Sequence, residues 1–396
     1  MQSRPAFWFI FIVVLLDVIA LGIVIPVLPM LVESFTGGSV ARAAYWVGFF
    51  TTVWALAQFV CSPIAGALSD RYGRRPVVLI SCFALAADYV LMALAPNLFW
   101  LLIGRILSGI FAANAVAATA YIADVTPESE RAQKFGMLGA AWGLGFVLGP
   151  ALGGWLGGID LRLPFWAAGG VTFVNALYGY FVLPESLAKE HRAKFDWKKA
   201  NPISSLQLLA QYRGLLPLAT INFFYGVAHY VFPTVFALYT SYRYGWSPQV
   251  LGFTLALVGV LTILVQGVLV QPIVKAIGER KALWLGLTCG ALGFLWLGLA
   301  TTEWQYWSGL PLLALMGLFG PASQALMTQK MPPDAQGRLQ GFNASVTGIA
   351  GLVGPTLFST SFGFAIANGA NAAYPGMPFF IAGLLMAGGL ALSLKR

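Results

Sequence analysis

Four ionisable side chains stand inside long apolar runs: Asp17 in VVLLDVIALG, Asp88 in LAADYVLMA, Arg105 in LLIGRILSG and His229 in YGVAHYVF. Asp17 lies about ten residues into its run. In a bilayer, an ionised carboxylate there costs on the order of 2.5–3.5 kcal/mol. Leaving water favours a carboxyl's neutral form, so an acid so placed is suited to taking up and releasing a proton. A structural, hydrogen-bonding acid is the alternative. His229 changes charge near physiological pH and is a second titrating candidate, with plain hydrogen bonding as its alternative. Asp88 and Arg105 can form a buried structural pair.

A second group is polar but uncharged. Asn222, Tyr225, Gln266, Gln324 and Asn343 share the second half with Phe232 and further phenylalanines, and Gln58, Asn114 and Trp142 are counterparts in the first half. Neutral polar groups among aromatics suit an amphipathic organic substrate better than a small ion or a free sugar. The alternative is interhelical hydrogen bonding. An enzyme is not expected: two distant histidines, His191 and His229, supply no cluster of nucleophiles, paired acids or metal ligands. Cys61, Cys82 and Cys289 all lie in apolar runs, as small core residues do. No metal or other cofactor is implied. There is no GxxxxGK[ST] loop, so ATP is not the direct energy source. An ion gradient or the substrate's own gradient remains. Charged pore rings and a carbonyl-filter signature are missing, which disfavours a channel.

The elements that must position these residues follow from composition. Of 396 residues, 59% are hydrophobic and 9% charged, against roughly 25% charged in soluble domains. Lipid must be the solvent for most of the chain. The net charge of +9 is not gathered into a basic stripe, so nucleic acid is not expected as a partner. Twelve windows are long enough to span a bilayer: 7–31, 43–68, 77–95, 98–122, 133–158, 164–184, 214–240, 249–275, 281–300, 304–329, 339–364 and 374–394. The first is too long for a signal-peptide core and lacks a following cleavage site. Nineteen of the 23 Lys and Arg fall on the side of the termini; only Arg42, Arg162 and Arg243 fall opposite, and Arg105 is within a span. By the positive-inside rule both termini are cytoplasmic. Residues 185–213 read as a cytoplasmic linker between an N-terminal bundle (1–184) and a C-terminal bundle (214–396). A shift of 205 superposes Gly73 on Gly278, Arg75 on Arg280, Pro127 on Pro332, Gly136 on Gly341, Gly149 on Gly354 and Pro150 on Pro355. The expected fold is therefore an all-α polytopic membrane protein of twelve helices, in two six-helix bundles related by a pseudo-two-fold axis.

The first cytoplasmic gap reads GALSDRYGRRPVVL. Gly66 permits close helix approach, Gly73 a tight turn. Asp70, Arg71, Arg74 and Arg75 can lock a conformation by ion pairing, or serve only to fix topology. This stretch resembles the signature loop of the major facilitator superfamily. LDVIALGIVIPVLP, LLIGRILSGIFAANAVAATAYIADVTPESERAQKFG and LGFVLGPALGG resemble the first span, the fourth span with its loop, and the fifth-span motif of twelve-span drug:proton antiporters, the tetracycline antiporters in particular.

The resemblance implies a cytoplasmic gate of Asp70 and Arg71 with Asp124 as partner. It implies proton coupling through Asp17 and Arg105, with Asp88 as a second protonation or cation site. It also implies a bend at Gly149 and Pro150. Gly145, Gly149 and Gly153, four apart, share one helix face that allows close packing. Thr262 and Gly290 depart from the pattern, standing where the tetracycline subgroup has a histidine and an aspartate. The expectation is a monomeric secondary transporter, integral to the cytoplasmic (inner) membrane, exporting an amphipathic organic compound against protons. A metabolite, siderophore or lipid-like substrate on the same fold is the alternative.

Overall fold

The computed structural model describes residues 3–112, 114–127, 130–192, 212–332, 336–367 and 374–394. Most of the expected linker lies outside these residues. Sixteen α-helices are used below: α1 (Ser3–Val24), α2 (Leu28–Phe35), α3 (Val40–Tyr72), α4 (Arg74–Leu94), α5 (Leu98–Phe111), α6 (Asn114–Val125), α7 (Arg131–Gly157), α8 (Leu163–Val182), α9 (Leu216–His229), α10 (Val231–Tyr244), α11 (Pro248–Leu264), α12 (Val270–Leu299), α13 (Glu303–Ala314), α14 (Phe319–Thr328), α15 (Gln336–Ile366) and α16 (Met377–Leu394). Among the described residues there is no strand. That suits a lipid solvent, where each backbone polar group must be satisfied within its own segment.

Ten stretches of helix among the described residues are long and apolar enough to cross a membrane. One of them, Pro248–Leu299, runs for 52 residues and contains a non-helical residue, Gly278. Leu163–Val182 is a 20-residue helix outside the ten. Several spans are broken. Residues 25–27, with Pro26, separate α1 from α2. A π-helical turn, Val265–Leu269, follows α11, and a 3-10 turn, Leu315–Leu318, separates α13 from α14. Hydropathy windows register none of these breaks.

Packing gathers the chain into two units. The first contains Met1–Leu31, Val53–Pro202 and Ser247–Ala256. In it α1 lies on α7 and α8, and α4 on α8 and α5. The short segment of α11 belongs there because Gly252 meets the backbone of α7 at Pro150 and Gly154. The second unit contains Val32–Thr52, Ile203–Trp246 and Leu257–Arg396. Here α16 packs on α12 and α9, and α15 on α9 and α10. The first part of α3 joins it through Gly48 against Ser359 and a Thr52–Thr356 hydroxyl contact of 3.1 Å.

The shift of 205 has a backbone counterpart. Gly73 (φ 106°, ψ 158°) and Gly278 (φ 80°, ψ 162°) adopt the same left-handed, extended conformation, one that only glycine takes up without strain. The three arginines opposite to the positive-inside trend also share a role. Arg42 donates to Thr36 O (2.8 Å), Arg162 to Ala93 O (2.7 Å) and Ala95 O (2.9 Å), and Arg243 to Ala300 O (3.3 Å). Each satisfies carbonyls left open at a helix C-terminus, where a cation is favoured.

Candidate functional site

In the first unit the charged residues fall into three places. Asp17 is on α1, and Asn175 of α8 donates through Nδ2 to its Oδ1 (2.8 Å) and to Val13 O (2.9 Å). The Cys82 thiol of α4 lies 3.9 Å from the same carboxylate oxygen. Cys82 belongs to an apolar cluster around this group that includes Phe7, Ile10, Val13, Val14, Val18, Tyr121 and Ile122.

Asp88 and Arg105 form the second place, on the adjacent helices α4 and α5, and both are buried. Gly104 lets the helices close here, since a Cβ would fall 3.1 Å from Asp88 Oδ1. The two are near neighbours but not an ion pair. Arg105 Nη2 points to Met92 Sδ at 3.1 Å, and neither Asp88 oxygen has a hydrogen-bond partner. The alternative of a buried structural pair is therefore not formed at contact distance.

The third place is the turn around Gly73. Arg74 is its hub, binding Asp70, Ser69 Oγ (2.7 Å) and Asp124 Oδ2 (Nε, 3.1 Å). Asp124 thus meets Arg74, whereas Arg71 lies over the Tyr72 ring at 4.9 Å and makes no ion pair among the described residues. Arg75 donates to Tyr180 O. Glu185 accepts from Arg74 N (2.9 Å) and sits where a Cβ on Gly73 would be. At Gly66 the helices are not close: a Cβ there would meet only Val116, at 3.4 Å.

The glycine ladder of α7 behaves as its spacing demands. A Cβ on Gly145 would strike Val18 (2.5 Å), one on Gly149 the Gly22 Cα (2.6 Å), and one on Gly153 the Ile23 carbonyl. Pro150 is inside the helix, next to the crossing with Gly22.

The second unit holds most of the neutral polar groups, and several of them tie one helix to another. Asn222 of α9 accepts from Ser323 Oγ (2.9 Å) and donates to Met327 Sδ (2.9 Å). Asn343 Nδ2 of α15 donates to Gln324 Oε1 of α14 (2.9 Å). Tyr225 stacks on Phe319 with centroids 4.2 Å apart, and it approaches His229, which in turn lies edge-on to Phe232. His229 and Gln266 have exposed side chains, and Gln266 sits in the π turn beside Gly317 of the 3-10 turn. In the first unit Trp142 is exposed and stacked on Phe146, and Gln58 is half-buried. The side chain of Asn114 lies outside the described residues.

The two departures have physical reasons. Thr262 returns its hydroxyl to Val258 O (2.8 Å) on its own helix. Gly290 is buried against Met386 and Met316, where a Cβ would meet Met386 Cε at 2.5 Å. An acid would not fit there without moving both methionines. Sequence reasoning missed Asn175, Cys82, Ser69 and Glu185. A lone asparagine in VTFVNALYG, within an apolar window, was a readable signal for the first. Among the described residues no cluster of His, Cys, Asp or Glu could hold a metal ion.

Comparison with known proteins gives a consistent picture. Residues 10–355 match the family model described as Major Facilitator Superfamily. The chain is 36% identical over 362 residues to the class C tetracycline resistance protein of Escherichia coli, covering 91% of each. It is 34% identical over 351 residues to the class E protein of the same organism, covering 88% of this chain and 85% of the relative. The crystal structure of the human organic anion transporter MFSD10 (TETRAN) superposes with a TM-score of 0.74 at 24% identity, covering 99% of this chain and 100% of that one.

Proposed function

We propose, on the premise that this chain belongs to the Major Facilitator Superfamily, that it is a proton-coupled exporter of an amphipathic organic compound working by alternating access. Tetracycline is the first candidate, as the relatives' names suggest. The observation that carries the reading is Asp17, an acid held by an amide and a thiol inside an apolar helix of the first unit. Such a group can exchange a proton, and a protein with two conformations pumps only when proton and substrate favour them differently.

The reading includes twelve spans: the ten above, with Pro248–Leu299 counted as two at Gly278 and Leu163–Val182 added. It places six in residues 1–184 and six in 214–396, with both termini on the cytoplasmic side of the inner membrane and a monomer as the working unit. Asp17, Asp88, Arg105 and His229 are the coupling candidates. The gate is the cluster around Gly73, with Arg74 as its centre rather than Arg71. Among the polar groups, His229, Gln266 and Trp142 are assigned to the substrate path, a reading supported by the exposure of their side chains. Asn222, Gln324 and Asn343 act first as ties between helices. A metabolite, siderophore or lipid-like substrate is the second reading, favoured by Thr262 and Gly290. No cofactor is needed beyond the proton gradient.

The test is tetracycline uptake into inverted membrane vesicles carrying the wild-type protein, with and without an imposed pH gradient. Uptake that needs the gradient supports the reading. No uptake by correctly inserted protein removes tetracycline and leaves the second class of substrates.

A further inference from the structure

Asn175 is fully buried, and its amide nitrogen faces Val13 O at 2.9 Å and Asp17 Oδ1 at 2.8 Å, with Cys82 Sγ at 4.0 Å. A carbonyl oxygen turned the same way would face Val13 O, which never donates, and this fixes the amide's orientation. Its own Oδ1 is left buried without a hydrogen-bond partner. A residue kept only for packing would not carry that cost, because leucine has nearly the same volume and no polar atoms. Val13 O is one helical turn before Asp17, so the amide grips the backbone and the carboxylate of α1 together.

We propose that Asn175 is the positioning residue of the Asp17 carboxyl, holding Oδ1 as a permanent acceptor so that the proton is carried on Oδ2. This rests on the reading of Asp17 as the proton-coupling acid. An amide does not titrate between pH 4 and pH 10, on the order of the range in which side-chain acids and bases do, so it donates to Asp17 in both protonation states. The bond is stronger to the carboxylate than to the neutral acid. Other titratable or charged side chains on the helices around Asp17 are Arg74, Arg75, Cys82, Asp88 and Tyr89 of α4, Tyr121 and Asp124 of α6, and Tyr178 and Tyr180 of α8. Lys134 of α7 lies over Phe7 at 4.3 Å, toward the start of α1. Of these, the Cys82 thiol lies 3.9 Å from the Asp17 carboxylate, and Tyr89 is near enough to feel its charge.

The experiment is an infrared titration of the purified full chain, following the carbonyl stretch of protonated carboxyl groups against pH. The difference between wild type and Asp17→Asn isolates Asp17 without any substrate. In Asn175→Leu the Asp17 midpoint is expected to move upward by about one pH unit, the worth of one charge-assisted hydrogen bond, with a changed band frequency. A purely structural role would alter thermal stability and leave midpoint and frequency in place. If Asn175→Leu does not accumulate, Asn175→Ala makes the same measurement. An Asp17 band that titrates in wild type but is unmoved in the Asn175 variant overturns the proposal alone. A wild-type spectrum with no band lost in Asp17→Asn overturns the coupling reading and the proposal with it.

Discussion

The contact of α7 with α1 and that of α15 with α9 and α10 occupy the same positions of the 205-residue repeat, and they are built differently. In the first unit Gly145, Gly149, Gly153 and Gly157 bring backbone against Val18, Gly22, Ile23 and Val27. In the second the matching positions are Ala350, Gly354, Phe358 and Phe362. Gly354 still meets Tyr230, but Phe358 and Phe362 are wholly buried, and Phe362 packs among Tyr239 and Tyr242 at 6.1 and 6.3 Å. The first contact is a close approach of glycine backbone to main chain and small side chains; the second is filled by buried rings. The charges divide in the same way. Asp17, Asp88 and Arg105 lie in the first unit, whereas the second offers His229, amides and aromatic stacks inside its helices. On the proposed function, the charged unit supplies the coupling acid Asp17, and the aromatic unit supplies most of the polar and aromatic candidates for substrate.

The largest expected effect breaks this contrast at its root. Gly153→Leu must push a side chain through the Ile23 carbonyl and is expected to cost about 3 kcal/mol or more, leaving little folded protein in the membrane. Phe358→Leu, its counterpart, should cost about 1–2 kcal/mol and retain transport. Melting curves of the two purified variants decide this; equal tolerance at both positions would erase the distinction.

A smaller effect is expected at the two turns. Arg74 joins Asp70, Ser69 and Asp124 in the first; its counterpart at the shift of 205 is Glu279, and Lys275 matches Asp70. Arg74→Ala should lower transport by about tenfold, equivalent to about 1.4 kcal/mol, with little change in the amount of protein. Glu279→Ala should stay within about twofold. Initial rates in vesicles, normalised to protein level, measure both.

The smallest effect tests the amides. Asn343→Leu removes the tie to Gln324 and should cost about 1 kcal/mol of stability with a substrate KM changed by less than about threefold. Gln266→Leu should do the reverse, raising KM with stability unchanged. A KM effect larger for Asn343 than for Gln266 would place the substrate against the α14–α15 tie instead.

The sequence made some features legible for reasons these positions show. Gly73 and Gly278 could be paired because a left-handed turn admits one residue type, so the letter reports the backbone directly. The glycine ladder was readable because four-residue spacing is a helix face. Asn222, Gln324 and Asn343 were legible as polar but not as ties, since Asn222 meets α14 and Asn343 meets Gln324 across helices, and periodicity along one helix says nothing of its partner. Arg74 and Arg71 could not be told apart for the same reason: which one meets Asp124 depends on how α4 and α6 pack. Asn175 was missed because its partner is 158 residues away and an uncharged side chain in an apolar run attracts less notice than an acid.

The central claim is that the proton belongs to Asp17 while the substrate path can operate without it. The most direct measurement compares wild type and Asp17→Asn in liposomes, for pH-driven tetracycline accumulation and for gradient-free exchange of labelled against unlabelled tetracycline. The account predicts that Asp17→Asn loses accumulation and keeps exchange. Accumulation retained in Asp17→Asn would contradict it.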